Sequence, residues 1–403
     1  MKTADFHFAL LARPQHAYDR MLISGVAQFA QEYPECHFKL MTPEMLPAAL
    51  TSESYDGIIC RILDRNVLKQ IERTRLPVVD TLNAHDETGV SIVSSDNVQI
   101  GRMAAKHFLE HRFRNFAFVG YRNVPYSEQR RDGFLARLFE SGFQATVYEA
   151  DASKWESTIT SRLPGFNEII TRDIGRLKRM LHRLPRPAAV FCCHDPRAMS
   201  ALEACQNIGL QVPADIAILG VDNDFTYSAF SHPRLSSIDP AAETIGYRAA
   251  ETIADISRLP SAKRPVRRIF IPARGIVVRE STEVYPMKPA WLSDALVFIQ
   301  HNATKGITAA DVFVHLGLSH TLVQATFRKV LQSSVQKEII AIRMEEAKRL
   351  LRETKLPVTK IAADCGFASL RYFSQAFTTF TGGISPSQFA AARPNEGKGT
   401  TKR

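Results

Sequence analysis

Short apolar runs recur from Phe6 to about Asp239, each followed by a longer stretch in which apolar positions return every three or four residues. Phe6 to Ala12, Gly57 to Cys60, Pro77 to Asp80, Ser91 to Ser94, Phe116 to Val119, Ala188 to Cys193 and Ile216 to Val221 read as strands. Between them, Gln99 to Glu110 carries Ile100, Met103, Ala104, His107 and Phe108 on one side, and Asp195 to Leu210 carries Ala198, Met199, Leu202 and Cys205, the spacing of amphipathic helices. Near-continuous apolar strands alternating with helices predict α/β lobes with parallel sheets covered on both faces. Two such lobes fit in about 280 residues. Arg267 to Val278 alternates enough for one or two closing strands, and Ser281 to Pro289 has the composition of an interdomain connection.

After Ala290 the pattern is helical throughout and one arrangement occurs twice. A short apolar helix, a turn at a glycine and a second helix ending in an aromatic residue make a helix-turn-helix. The first copy runs from Ile307 through Gly317 to Phe327, the second from Pro357 through Gly366 to Phe377. Trp291 to Gln300, Ala309 to His315 and Ser319 to Leu331 form the first group of helices, with Val312, Phe313, Leu316, Leu318, Val323 and Phe327 as its core. Val335 to Thr354 reads as a long helix buried along Ile339, Ile342, Ala347, Leu350 and Leu351; Tyr372, Phe373, Phe377 and Phe380 read as core of the second unit. At 1.5 Å per residue the long helix spans about 30 Å, close to the ~34 Å between successive major-groove faces of B-DNA. The fold class expected is therefore a two-lobed α/β sensor, residues 1–286, plus an all-α domain with two helix-turn-helix motifs, residues 287–394, and a disordered tail at 395–403.

Charge supports this division. Of the formal net charge of +10, the segment from Met287 onward carries 16 Lys+Arg against 8 Asp+Glu, leaving 35 against 33 for the preceding 286 residues. The basic excess lies on the repeated motif, where phosphate contacts need it. The six cysteines form no C-x-x-C pair and mostly stand in apolar stretches, so neither a disulfide framework nor a zinc site is expected. No run approaches the roughly 18 apolar residues of a membrane span, and Met1 to Asp5 leads directly into a strand, so a cytoplasmic protein without a membrane partner is expected.

Residues from Trp291 to Arg393 resemble the AraC family of bacterial regulators, most specifically through Gly366-Phe367, Tyr372-Phe373-Ser374, Phe377, Thr381-Gly382 and Ser385-Pro386. The family usually has one residue between that Thr-Gly and Ser-Pro; here Gly383-Ile384 makes two. Where it often has Arg in the reading helices, this chain has Ala325 and Gln375. By type and position, His320, Thr321 and Gln324 in the first reading helix and Arg371, Ser374 and Gln375 in the second are the candidates to face double-stranded DNA. Gln pairs with adenine and Arg with guanine. Solvated polar helix faces account equally well for any one of them.

In open α/β sheets ligands sit beyond the carboxyl ends of strands, where this chain places acidic and amide groups. Tyr18, Asp19, Asp96, Arg130, Asp195 and Asp222 are the candidate ligand residues: carboxylates accept from neighbouring hydroxyls, Arg donates to oxygens, and Tyr18, Phe225 or Tyr227 offers a face to a sugar's C–H surface. Asp96, Asp195 and Asp222 equally suit helix N-caps. Tyr55-Asp56-Gly57-Ile58-Ile59, Ser95-Asp96-Asn97 with Gly101, Arg130 to Phe134 and Val212-Pro213 to Asp224 resemble the LacI and periplasmic sugar-binding fold. LacI members carry their helix-turn-helix at the N-terminus, whereas this chain begins with the sensor. A sugar sensor followed by an AraC-type reader resembles the bacterial xylose regulators, also through Ala17-Tyr18-Asp19-Arg20 and Ile245 to Ala250. That resemblance implies D-xylose or another aldopentose as effector, homodimerisation and activation of transcription, with RNA polymerase as a further partner. A transport-type binding protein, a regulator answering a non-pentose ligand and an enzyme are the alternatives. For an enzyme, a phosphate loop, metal spacing or nucleophile elbow is wanted, and none stands in the sequence, so no catalytic residue, metal or cofactor is expected.

Overall fold

In the computed structural model, which describes residues 5–52, 54–61, 65–83, 90–151, 166–284, 287 and 289–391, the chain divides into two compact units, Met1–Glu283 and Val284–Arg403. The expected tail at 395–403 lies outside the described residues, as do Tyr285, Pro286 and Lys288 of the expected connection.

The first unit begins with β1 (Phe6–Leu11), α1 (Ala17–Glu32), β2 (Cys36–Met41), α2 (Leu46–Ser52), β3 (Gly57–Cys60), α3 (Arg65–Thr74), β4 (Val78–Asp80) and β5 (Ser91–Ser95). It continues with α4 (Asn97–Glu110), β6 (Phe116–Arg122), α5 (Pro125–Phe139), β7 (Ala145–Asp151), α6 (Phe166–Arg183), β8 (Ala188–Cys192), α7 (Asp195–Asn207), β9 (Ile216–Val221), α8 (Phe225–Phe230) and β10 (Ser236–Asp239). Last come α9 (Ala242–Ser257), β11 (Arg268–Ile271) and β12 (Gly275–Val277).

Two six-stranded sheets result, ordered β11-β5-β4-β3-β1-β2 and β12-β10-β9-β8-β6-β7. Pairing is parallel except where β12 runs against β10. Three strands without a continuous apolar run explain themselves by position. β2 and β7 are sheet edges, so most of their residues are exposed or only part-buried. In β10, Ser236 and Ser237 are buried because their hydroxyls are bonded, Ser236 to the Arg279 carbonyl and Ser237 to Asp195.

Residues Arg267 to Val278 supply one strand to each sheet, so the chain passes between lobes three times: at Ser95–Asn97, Asp239–Ala242 and Ile271–Gly275. These crossings hold one another. The Asp96 N–H donates to the Ile271 carbonyl (2.8 Å), the Arg274 N–H to the Asp239 carbonyl (3.0 Å) and the Ser95 hydroxyl to the Pro240 carbonyl (3.5 Å). In lobe one, Phe8, Leu10, Leu22, Val26 and Phe29 pack with Ile245, Ala249, Ala250 and Ile253 of α9. In lobe two, α4 lies directly on α5, because a Cβ on Gly101 would stand 2.0 Å from the Arg130 carbonyl oxygen.

The second unit contains α10 (Ala290–Asn302), α11 (Ala309–Leu316), α12 (His320–Thr326), α13 (Val335–Glu353), α14 (Val358–Asp364), α15 (Leu370–Phe380) and α16 (Pro386–Ala391). A π-helical turn, Phe327–Leu331, extends α12. Its core has two parts. Leu292, Leu296, Ile299, Val312, Val323, Phe327 and Ile339 make one; Met344, Ala347, Leu351, Ile361, Phe367, Phe373 and Phe377 make the other. Helix α13 contributes to both. Its Arg343, a residue the apolar pattern does not mark, is buried between them: Nε donates to the Ala303 carbonyl and an Nη to the Ile307 carbonyl, both at 2.7 Å, while the guanidinium lies 5.3 Å from the Phe367 ring. Gly366 (φ +78°) lets the second turn approach the first group, since a Cβ there would come within 2.9 Å of Thr304, Gly306 and Ala303 backbone atoms.

Candidate effector cleft and nucleic-acid interface

Each lobe has the strand order 2-1-3-4-5, which reverses direction between β1 and β3 in one lobe and between β6 and β8 in the other. The crevice beyond the carboxyl ends of those strands is where such sheets bind ligands. Lobe one places Tyr18 and Asp19 after β1 and Arg61 after β3; lobe two places Tyr121 at the end of β6, Tyr126 and Arg130 after it, and Cys193-His194 after β8.

Asp19 is buried and held from two sides: Arg61 donates to Oδ1 at 2.5 Å and the Arg13 N–H to Oδ2 at 2.9 Å. The Arg61 guanidinium lies 4.6 Å from the Tyr18 ring centre. Burial opposes the charge on Arg61, but Asp19 outweighs it and the guanidinium holds its proton more firmly than usual. Across from this pair, Arg130 is buried with Nε on the Asn97 side chain (3.0 Å) and an Nη on the Cys193 carbonyl (2.5 Å), above the Tyr126 ring at 5.2 Å. Asp222, at φ +113°, stands part-exposed at the end of β9. Burial raises its carboxyl to about 6, against the pull of Arg130 and Arg61; Asp224 and Asp19 push the same way as burial. Asp222 thus senses charges from both lobes, as does Tyr18, whose hydroxyl is raised by burial and influenced by Arg61, Arg130 and Asp222.

Four of the six expected ligand residues, Tyr18, Asp19, Arg130 and Asp222, therefore gather in one crevice. The other two stand apart. Asp195 lies behind it, accepting from the Asp224 N–H (2.8 Å) and the Ser237 hydroxyl (2.6 Å), with its carboxyl pushed well up by burial and by Asp222. Asp96 caps α4, its Oδ1 accepting from the Gln99 N–H at 2.9 Å. Asp224 caps α8 and also meets Arg20 of lobe one at 3.5 Å. His194 caps α7: its Nδ1 accepts from the Arg197 N–H, and burial lowers the imidazole to about 3, so it stays neutral.

Arg61, Tyr121, Tyr126 and the buried Arg197–Asp173 pair are cleft groups that the sequence reading missed. Arg61 was findable, because it follows the strand Gly57 to Cys60 as Asp19 follows the first strand. Tyr148 donates to Asp173, and the Arg197 guanidinium lies 5.3 Å from the Tyr121 ring. Phe225, an expected sugar face, is 80% exposed. Among the described residues no group of three His, Cys, Asp or Glu is placed to hold a metal, and no helix is long and apolar enough to cross a membrane.

In the second unit the two reading helices start alike. The Ser319 hydroxyl accepts from the Leu322 N–H (3.4 Å) and Ser369 from the Tyr372 N–H (3.1 Å), which sets His320 against Leu370, Thr321 against Arg371, Gln324 against Ser374 and Ala325 against Gln375. His320, Thr321, Arg371 and Gln375 are exposed, while Gln324 and Ser374 are half-buried. Phe373 and Phe377 are core as expected; Tyr372 and Phe380 are not, at 46% and 40% exposed. Both lie at the margin of the second core, which Phe367, Phe373 and Phe377 fill, and the Tyr372 ring rests 5.9 Å from that of Phe367.

Comparison with known proteins accords with this build. A model of the periplasmic binding protein-like domain matches residues 105–282, and one of the helix-turn-helix domain matches residues 314–392. The xylose operon regulatory protein of Escherichia coli K12 is 26% identical over 384 residues, covering 94% of this chain and 95% of that protein. The protein of the same description from Haemophilus influenzae is 24% identical over 92% of this chain and 95% of its own length. The solved structure of xylR, a xylose-binding transcription activator, has the same fold, with a TM-score of 0.60 at 23% identity over 98% of this chain and 100% of that one. The chain therefore joins a periplasmic-binding-protein-like sensor domain to an AraC-type helix-turn-helix domain, the composition of a DNA-binding transcription regulator under the control of a bound ligand.

Proposed function

We propose that the ligand is a small sugar, D-xylose or another aldopentose, captured between the lobes of residues 1–286, and that its capture alters how residues 287–394 bind a promoter. One observation carries this reading: Asp19–Arg61 of one lobe faces Arg130 and Asp222 of the other, in a chain similar along 94% of its length to xylose operon regulatory proteins. A carboxylate accepts from two adjacent sugar hydroxyls and a guanidinium donates to a third, so one ring with hydroxyls on both edges ties the lobes together. Tyr18 and Tyr126 supply flat apolar surfaces. Asp195 and Asp96 act indirectly, the first by fixing the loop that carries Asp222, the second by capping the helix packed on Arg130.

Switching needs only that the sugar bind the closed arrangement of lobes better than the open one. In this reading the protein works in the cytoplasm as a homodimer, activates transcription through RNA polymerase and catalyses no reaction. Calorimetric titration of the full chain with D-xylose, other aldopentoses and hexoses tests it. Saturable heat with an aldopentose, together with a sugar-dependent change in affinity for promoter DNA, is expected; silence across the whole panel would refute sugar sensing. Sedimentation equilibrium tests the dimer.

A further inference from the structure

We propose that Leu322 and Leu370 read the C5-methyl groups of thymines in the major groove. This rests on the reading of the second unit as a duplex-binding domain and deepens it. The capping serines number the two reading helices from the same origin, which puts Thr321 and Arg371 at the second position of each. Leu322 follows the first of these and Leu370 precedes the second. Both lie in the opening turn, the part of a recognition helix that reaches base edges.

Neither leucine belongs to the core. Leu322 is 46% and Leu370 42% exposed, whereas Val323, next to Leu322, and Phe373, three residues beyond Leu370, are wholly buried. Tyr372, also exposed, is different, for its ring packs 5.9 Å from Phe367. A leucine side chain has no donor or acceptor with which to read a base edge, and the thymine methyl is the apolar group the major groove displays. Two exposed leucines beside polar readers therefore match methyl groups flanking hydrogen-bonding positions, one in each half of a bipartite site. They also provide sequence information where Ala325 and Gln375 stand in place of arginine.

The test uses the full chain and a duplex that it enriches from a random pool. Each thymine of that duplex is replaced in turn by deoxyuridine, which removes only the methyl. At one thymine in each half the wild-type chain should lose about fourfold in affinity, the value expected for one buried methyl group. Leu322→Ala should abolish that discrimination in one half and Leu370→Ala in the other, while methionine at either position retains part of it. Tight binding of the enriched duplex with no sensitive thymine, or full discrimination retained by both alanine variants, overturns the proposal and leaves DNA binding standing. Failure to enrich any duplex overturns both.

Discussion

Replacing Arg343 with methionine tests whether one buried cation joins the two halves of the helical unit. Arg343 is 6% exposed, and its guanidinium donates to the carbonyls of Ala303 and Ile307, both belonging to the first half, while facing Phe367 of the second. Methionine preserves most of the apolar stem but removes two hydrogen bonds from a charged donor, at about 1.5–3 kcal/mol each, leaving the Ala303 carbonyl with the Gly306 N–H alone at 3.3 Å, and removes a cation–π contact of about 1 kcal/mol. Against this stands relief of the burial that already lowers the Arg343 pKa. The net expectation is about 3 kcal/mol of destabilisation, a fall in melting temperature of more than ~10 °C for a unit of this size. Scanning calorimetry of the full chain measures it, and hydrogen exchange at the amides of residues 303–307 and 361–367 locates it. Affinity for a duplex with two half-sites should fall further than affinity for one half-site, because the halves lose their fixed spacing. An unchanged transition, with normal protection in both segments, would show that α13 alone sets the arrangement.

Three other expectations follow from the cleft. Since Asp222 is raised to about 6 in the folded protein, the native state binds a proton that the unfolded chain has lost, so this group's contribution to stability falls as pH rises from about 4 to about 6. Sugar hydroxyls favour the carboxylate, so calorimetric affinity should rise between pH 5 and 7 with proton release, and Asp222→Asn should flatten that profile; a flat wild-type profile contradicts the role given to Asp222. Arg61→Met strands a buried carboxylate and should weaken sugar binding by roughly 10- to 100-fold, read by titration, with wild-type affinity as the contrary result. Gly101→Ala drives a methyl into the Arg130 carbonyl and should cost about 1–3 kcal/mol in denaturant unfolding as well as sugar affinity; an unchanged midpoint would mean that α4 and α5 separate freely.

Central strands and paired helices were legible because burial on both faces, or along one stripe, leaves a periodic trace in the residues themselves. Edge strands β2 and β7 left none, and β10 was hidden because its serines are buried through hydrogen bonds rather than through apolarity. In the cleft, polar residues at strand ends were visible, but sequence alone does not say which of them a neighbour has already claimed. Asp195 and Asp96 share a residue type with Asp222 and differ only in what they bond. Arg343 and Arg61 were missed for a related reason. Each is a long cation whose role comes from carbonyls or a carboxylate far away in the chain.

The three lobe crossings also bear on synthesis. Lobe one has its first strands at the N-terminus, yet its inner helix α9 and edge strand β11 arrive only after almost all of lobe two. A ribosome releasing this chain must therefore leave Phe8, Leu22 and Phe29 without the α9 side of their core until residues 245–253 emerge. The inserted lobe, nearly continuous in the chain, is free to fold first and to serve as the platform on which its older neighbour is completed.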